Sequence, residues 1–518
     1  MRRYPIGIQT FADIRNGGYV YVDKTEYVWR LRQEGKYYFL SRPRRFGKSL
    51  LLSTLEAFYL GRRELFTGLA IADKPYDWAV HEVLHLDLNT KDYTSDDGAL
   101  QRMLDSALSK WEKTYGLSPN IPDTDLRFAD VIEAAYKKSG RQIVILIDEY
   151  DKPIVMNLFN PARFDLFRST LKAFYGVLKS CDRYISLAFL TGVTKFGNVS
   201  VFSDLNNLRD ISLSPAYNAI CGITETELRD NFGKDIQCFS ESNNLLGREG
   251  AEILRRNYDG YHFSVPLGEG IYNPFSLLNA FADLRLGDYW FKTGTPTLLV
   301  DLLKRNDTDL SILNSVERTE GELQRLDPAF KDPIPVIFQS GYLTIKDYDI
   351  SRRRYRLGFP NEEVENGFFE ALLPAYVSPF ISESDADIYK LVSALESGNI
   401  NRYIEIMQSF MADIPYSGES ARIPERRFSD VIYIVSRLMG LNVRTEYSTG
   451  RGRIDLIVHT ERYIYIIEFK VDSSPEVALA QIEEKGYCIP FLTDGRTIVK
   501  VGVEFSTRER NIVAWQIS

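Results

Sequence analysis

Residues 37–60, YYFLS-RPRRFGKS-LLLSTLEAFYL, constrain this chain more than any other stretch. A five-residue apolar run, the length of a strand, passes through a basic loop directly into an apolar helix. A strand with no polar face belongs in a sheet that is covered on both sides. Comparable runs recur at VLHLDLN (83–89), IVILIDEY (143–150) and YISLAFLTGV (184–193), separated by longer helical patterns. Short apolar strands alternating with helices predict a parallel α/β sheet over roughly the first 215 residues.

The loop between the first strand and its helix carries chemistry. Phosphate binding at a helix N-terminus needs converging backbone N–H groups, a Lys for the β/γ oxygens and a hydroxyl for Mg²⁺. Phe46-Gly47-Lys48-Ser49 supplies these, with Leu50 continuing into the helix. The general pattern G-x-x-x-x-G-K-[ST] puts glycine at position 42, where this chain has Arg42. Arg42, Arg44 and Arg45 are therefore expected to add positive charge beside a polyphosphate. A Gly-Lys-Ser triplet alone decides little in a long chain; its place between strand and helix gives it weight.

A second feature is independent of the first. The apolar strand IVILID ends in Asp148-Glu149, about 100 residues further on. At that position an Asp suits Mg²⁺, and a Glu suits a water that attacks phosphorus. The next strand ends in Thr191, where a polar residue can sense a γ-phosphate. Lys195 and Arg209 are further candidate cations, and Arg209 as a finger acting on a neighbouring subunit would require a homo-oligomer. Nucleotide binding follows from these features together.

Beyond residue 224 the texture changes. TETELRDNF reads as a capped helix, with Thr224 three residues before Glu227. NYDGYHFS and IYNPFSLLNAF set turn residues among aromatics, and 340–361 reads as two strands across a polar turn, suiting a winged-helix-like lid. Helices open a third region near 375, and IPYSGESARIP (414–424) resembles a linker. The expected division is a core over 1–223, a lid over 224–372, a helical linker over 373–424 and a further α/β domain over 425–518.

In that last domain, GRIDLIV and YIYIIEFKV place Asp455 on one strand and Glu468 with Lys470 on the next. Residues two apart on a strand share a face, so Glu468 and Lys470 point together. Metal-dependent phosphodiester cleavage uses carboxylates that converge on hard cations, plus a Lys to orient water or hold charge. Glu425, at the start of the preceding helix, and Gln481, in the following one, complete the candidate set. Charge inside an apolar strand is costly unless partnered, which favours a built site over a solvated hairpin.

Composition narrows the rest. The 518 residues carry 63 Lys+Arg against 71 Asp+Glu, a net of −8, which excludes a uniformly basic nucleic-acid coat. Residues 421–518 hold 14 Lys+Arg and 13 Asp+Glu, a net of +1, so any nucleic-acid contact is a local patch. Cys181, Cys221, Cys238 and Cys488 lie far apart with no C-x-x-C, signalling neither a disulfide framework nor a zinc knuckle. The opening MRRYPIGIQTF lacks the apolar stretch of a signal peptide, and no run reaches membrane-spanning length. A cytoplasmic protein that does not engage a membrane is expected.

The blocks YVDKT, RPRRFGKSLLLSTLEAFY, LIDEYDKPI, DLNNLRDISL, NYDGYHF, IYNPFSLLN, YWFKTG and FQSGYLTI, in this order and spacing, resemble the predicted AAA-ATPase-like family from about residue 5 to 360. The resemblance implies a P-loop NTPase core of parallel-sheet type with a helical lid, ATP as the nucleotide, and an Arg-rich loop in place of the first Walker glycine. It assigns Lys48 and Ser49 to phosphate and Mg²⁺, Asp148 to Mg²⁺ and Glu149 to the catalytic water. Asp23 and Lys24 are left near the nucleotide without a role. Residues 425 to about 500 resemble the PD-(D/E)XK nuclease superfamily, a restriction-endonuclease-like α/β fold. That motif maps to Asp455, Glu468 and Lys470, with Glu425 and Gln481 on the flanking helices; Ile454 replaces the Pro of the motif's name. The resemblances imply ATP-coupled, Mg²⁺- or Mn²⁺-dependent cleavage of nucleic acid, with DNA the expected substrate. The alternative is a nucleotide-controlled, STAND-like switch whose C-terminal domain binds nucleic acid or protein without cutting.

Overall fold

A computed structural model describes residues 2–118, 121–195, 205, 207–291, 296–306, 308–324, 332–376, 385–412 and 424–518, without the side chains of 296–298, 385–387, 424–428 and 446. The chain comprises two compact units, one made of residues 1–294 and 314–364, the other of 295–313 and 365–518.

The first unit is built on five strands: β1 (Tyr37–Ser41), β2 (Val83–Asp87), β3 (Ile143–Asp148), β4 (Ile185–Gly192) and β5 (Arg209–Asp210). Their order is β2-β3-β4-β1-β5, and every neighbouring pair is parallel. β3 is buried at every position, as the absence of a polar face predicts. β4 separates the strand that enters the basic loop from the strand that ends in Asp148. The register sets Leu40 beside Thr191, Ile147 beside Leu190 and Asp87 beside Asp148, so the carboxyl ends of β1 to β4 share one edge. Helix α1 (Lys48–Tyr59) leaves that edge from the loop.

The remainder of this unit begins with β6 (Ile223–Thr224) and helix α2 (Glu225–Ser242). α2 starts in a reciprocal capping box between Thr224 and Glu227, as the sequence spacing predicts. β7 (Ile271–Tyr272) pairs with β6, and helix α3 (Pro274–Asp283) follows. The Asn-Pro pair explains the start of α3: Asn273 accepts from the N–H groups of Phe275 and Ser276, while Pro274 lacks the N–H that would go unpaired there. Leu228, Phe232, Phe239, Leu254, Tyr258 and Phe281 pack together here. The strands expected over 340–361 are β9 (Thr344–Asp349) and β10 (Arg354–Gly358); β8 (Val316–Thr319) joins them in the order β8-β10-β9.

The second unit contains helix α4 (Pro424–Leu438), β11 (Asn442–Thr449), β12 (Gly452–His459), β13 (Tyr463–Val471), helix α5 (Pro475–Glu484), β14 (Thr497–Ser506) and β15 (Asn511–Ile517). The strands form one mixed sheet in sequence order. β13 and β14 are parallel and the other pairs antiparallel. A parallel pair needs a crossover, and α5 is that crossover. It lies so close to the sheet that a Cβ at Gly502 would fall 2.2 Å from the carbonyl oxygen of Pro475. Among the described residues no helix is long and apolar enough to cross a membrane.

Candidate functional site

At the carboxyl edge of the first sheet, two residues of the basic loop take positive φ, Arg45 at 67° and Gly47 at 97°. Gly47 caps α1 from this left-handed conformation, where glycine is at ease. Lys48 is buried, and its ammonium donates to the carbonyls of Arg42 (3.0 Å) and Pro43 (3.3 Å) and pairs with Glu149 at 3.4 Å. The Ser49 hydroxyl donates to Asp148 Oδ2 at 2.6 Å, and the Thr191 hydroxyl to Oδ1 at 2.5 Å. The three strand-end residues singled out in the sequence, together with Lys48 and Ser49, thus form one hydrogen-bonded constellation.

Glu149 sits at φ 50°, a conformation that costs a non-glycine residue about 1–3 kcal/mol and clusters at functional sites. Its neighbours over-determine it. The Tyr150 N–H donates to the Thr191 carbonyl (3.0 Å) and the Tyr150 hydroxyl to the Thr194 carbonyl (3.0 Å). Asp151, fully buried, accepts from the N–H of Val193 and from the N–H and hydroxyl of Thr194. Burial, and then the charge of Glu149, push the Asp151 carboxyl up to about 6 against those hydrogen bonds. Asp87 stands beside Asp148 in register; burial raises its pKa, and Asp148 and Glu149 add to the rise. Sequence reading missed Asp87 and Asp151. Asp87 carried a usable signal, since it too ends an apolar strand.

One arginine of the loop, Arg42, differs from expectation. Arg42 is buried, with its guanidinium on backbone carbonyls, so its charge is not free to sit beside a polyphosphate. Arg44 and Arg45 are exposed; the Arg44 carbonyl accepts from the Trp290 indole N–H (2.9 Å), and the Arg45 guanidinium lies 5.0 Å from the Phe275 ring centre. Phe46 is buried edge-on to Tyr261 and Phe263, and Leu50 is half-buried in the first turn of α1. Of the other candidate cations, Lys195 pairs with Asp210 (2.5 Å), and Arg209 pairs with Glu34 (3.0 Å). Lys24 is bound to Glu227 and the Ala219 carbonyl, while Asp23 accepts from the N–H groups of Thr25 and Ala70.

In the second unit, Leu456 pairs with Ile467, which puts Asp455 across from Glu468 on adjoining strands. Asp455 Oδ2 accepts from the Phe469 N–H at 2.8 Å. Glu468 Oε1 accepts from Lys470 (3.2 Å) and from the Gln481 amide. Glu468 Oε2 is buried without a hydrogen-bond partner. Burial, then the nearby charge of Asp455, push the Glu468 carboxyl up to about 7 against Lys470; burial also raises Asp455. The structure thus brings Asp455, Glu468, Lys470 and Gln481 together. Glu425 lies in the first turn of α4, but its side chain is outside the described residues. Among the described residues no group of three or more His, Cys, Asp or Glu is arranged to hold a metal. Tyr487, which sequence reading missed, closes the site from behind: its hydroxyl donates to the Arg453 carbonyl (2.9 Å) and accepts from Gln481 (3.3 Å).

Residues 5–202 match the family model described as predicted AAA-ATPase. Over its full length the chain is 37% identical to an uncharacterized protein in the vnfD 5' region of Azotobacter chroococcum mcd 1, across 99% of that relative. The chain belongs to the predicted AAA-ATPase family. Residues 423–515 match the PD-(D/E)XK nuclease superfamily, so this AAA-ATPase-like chain carries a nuclease-superfamily domain at its C-terminal end. The parallel five-stranded sheet and the C-terminal mixed sheet are the folds these two matches require.

Proposed function

We propose that this protein binds and hydrolyses ATP at the loop of residues 44–50 and cleaves phosphodiester bonds of nucleic acid, DNA foremost, at the Asp455–Glu468 site. The chain divides for this purpose into a core (1–223), lid (224–372), helical linker (373–424) and nuclease-like domain (425–518). The protein acts in the cytoplasm, which four free cysteines suit. ATP as the nucleotide follows from the family alone.

At the first site the N–H groups of the loop, with Gly47 and Lys48, would receive the phosphates. Ser49 and Asp148 are hard oxygen donors that suit Mg²⁺. Glu149 would take the proton of the water that attacks the γ-phosphorus, with ADP leaving and Thr191 set beside the same carboxylate. At the second site the partnerless Oε2 of Glu468 carries the reading. A buried carboxylate oxygen without a donor, facing a second carboxylate, fits a divalent cation better than a structural role. Asp455 and Glu468, with Glu425, would hold Mg²⁺ or Mn²⁺; when bound, the ion supplies Lewis acidity and lowers the pKa of water. Lys470 would orient that water or hold charge on the phosphate, and Gln481 fixes Glu468. Nucleotide turnover would change the lid and govern access of nucleic acid.

The test is cleavage of end-labelled linear, circular and branched DNA with Mg²⁺ or Mn²⁺, with and without ATP. Wild type is compared with Asp455→Ala and Lys48→Ala. Cleavage lost in Asp455→Ala supports the nuclease, and the Lys48→Ala result shows whether nucleotide governs it. ATP turnover without cleavage of any substrate moves the protein to a nucleotide-controlled switch that binds and does not cut.

A further inference from the structure

A general phosphate loop has glycine at its first position because the chain turns there with positive φ. In this loop the positive-φ residues are Arg45 and Gly47, the latter the motif's own second glycine; Arg42 is not among them, so position 42 is free of that demand. What position 42 contributes is a side chain. The Arg42 guanidinium donates from one nitrogen to the carbonyls of Ser41 (2.9 Å) and Ser212 (2.8 Å). From the other terminal nitrogen it reaches the carbonyls of Tyr217 (3.1 Å) and Asn218 (3.4 Å), while Nε is buried without a hydrogen-bond partner. Its central carbon, Cζ, lies 4.1 Å from the centre of the Phe263 ring, which meets Phe46 of the same loop edge-on at 5.4 Å. The Arg42 carbonyl, with that of Pro43, holds the Lys48 ammonium.

We propose that Arg42 is the positioning residue of the phosphate loop, clamping its entry to segment 212–218 and thereby setting Lys48. The proposal rests on the ATP-binding reading above. A planar fork of donors can satisfy several carbonyls at once, and the compact ammonium of lysine cannot reproduce that fork. Carbonyls hold the charge without neutralising it, and burial lowers the pKa of Arg42 to about 10.

The decisive substitution is Arg42→Gly, which restores the general motif G-x-x-x-x-G-K-S. If glycine were what the loop needs, nucleotide binding would be kept or improved. The positioning role requires the opposite. Binding of a fluorescent ATP analogue with Mg²⁺ should weaken at least about tenfold, the scale of lost hydrogen bonds to a charged group. In steady-state ATP turnover the KM should rise accordingly. Millimolar guanidinium should restore affinity to the glycine variant, and methylammonium should not. Arg42→Lys should fall between wild type and glycine, and it carries the test if the glycine variant melts below the assay temperature. A wild-type Kd in either variant, or a fall in kcat at unchanged KM, overturns the positioning role. With Lys48→Ala alongside, binding in wild type that is lost in Lys48→Ala but kept in Arg42→Gly removes this proposal alone. A wild type that binds no nucleotide removes it together with the ATP reading.

Discussion

Glu363 offers a stability prediction whose size follows from its surroundings. The residue is buried, its Oε1 accepts from the Trp290 N–H at 2.7 Å, and its Oε2 has no hydrogen-bond partner. Burial pushes its carboxyl from the ordinary 4.5 up to about 7. Between those two values the folded chain keeps a proton that the unfolded chain has released, so raising the pH through this window lowers stability. At about 1.4 kcal/mol per pH unit, the full crossing costs about 3 kcal/mol above pH 7, and nothing below pH 4.5. Glu363→Gln removes the titration and keeps an acceptor for Trp290. The Ser276 hydroxyl, which opposes that shift from beside the carboxyl, is available to the new amide. Urea unfolding of the full chain should give the two proteins similar stability at pH 5. At pH 8.5 the variant should be more stable by about 3 kcal/mol. Every other titrating group, Asp151 and Asp259 included, is common to both proteins and cancels in the difference. A difference that does not change between pH 5 and 8.5 would refute the argument.

Other substitutions test the two sites separately. Glu149→Gln should keep ATP binding within a few-fold and reduce phosphate release by at least about a hundredfold, measured with a coupled phosphate assay. Tyr487→Phe removes the hydroxyl that links Gln481 to the Arg453 carbonyl. It should cost about 1 kcal/mol in thermal unfolding and lower the rate of DNA cleavage, with ATP turnover unchanged. Gly502→Ala puts a methyl against the Pro475 carbonyl and should destabilise the second unit by about 1–3 kcal/mol or more, seen as a lower melting temperature.

Much of this architecture was legible in the sequence because each feature had a local cause. The apolar strands had no wet face, Thr224 and Glu227 stood at capping distance, and Glu468 and Lys470 shared a strand face whatever their neighbours did. What escaped was set by distant partners. β5 is two residues long and exists through its pairing with β1, while Val316–Thr319 is a largely polar stretch made into a strand by β10. Asp87 gained its place from the register of β2 against β3, and Tyr487 from the chain reversal after α5. Arg42 shows the same limit from the other side. Its charge and its place in the loop suggested phosphate, because sequence reveals what a side chain carries and not where its donors end. The carbonyls that claim it come from residues 212–218, about 170 positions away along the chain. A departure from a motif is therefore best read by asking what physical task the missing residue performed. Here position 42 has no positive-φ turn to make, Arg45 takes one instead, and the Arg42 side chain holds the loop in place.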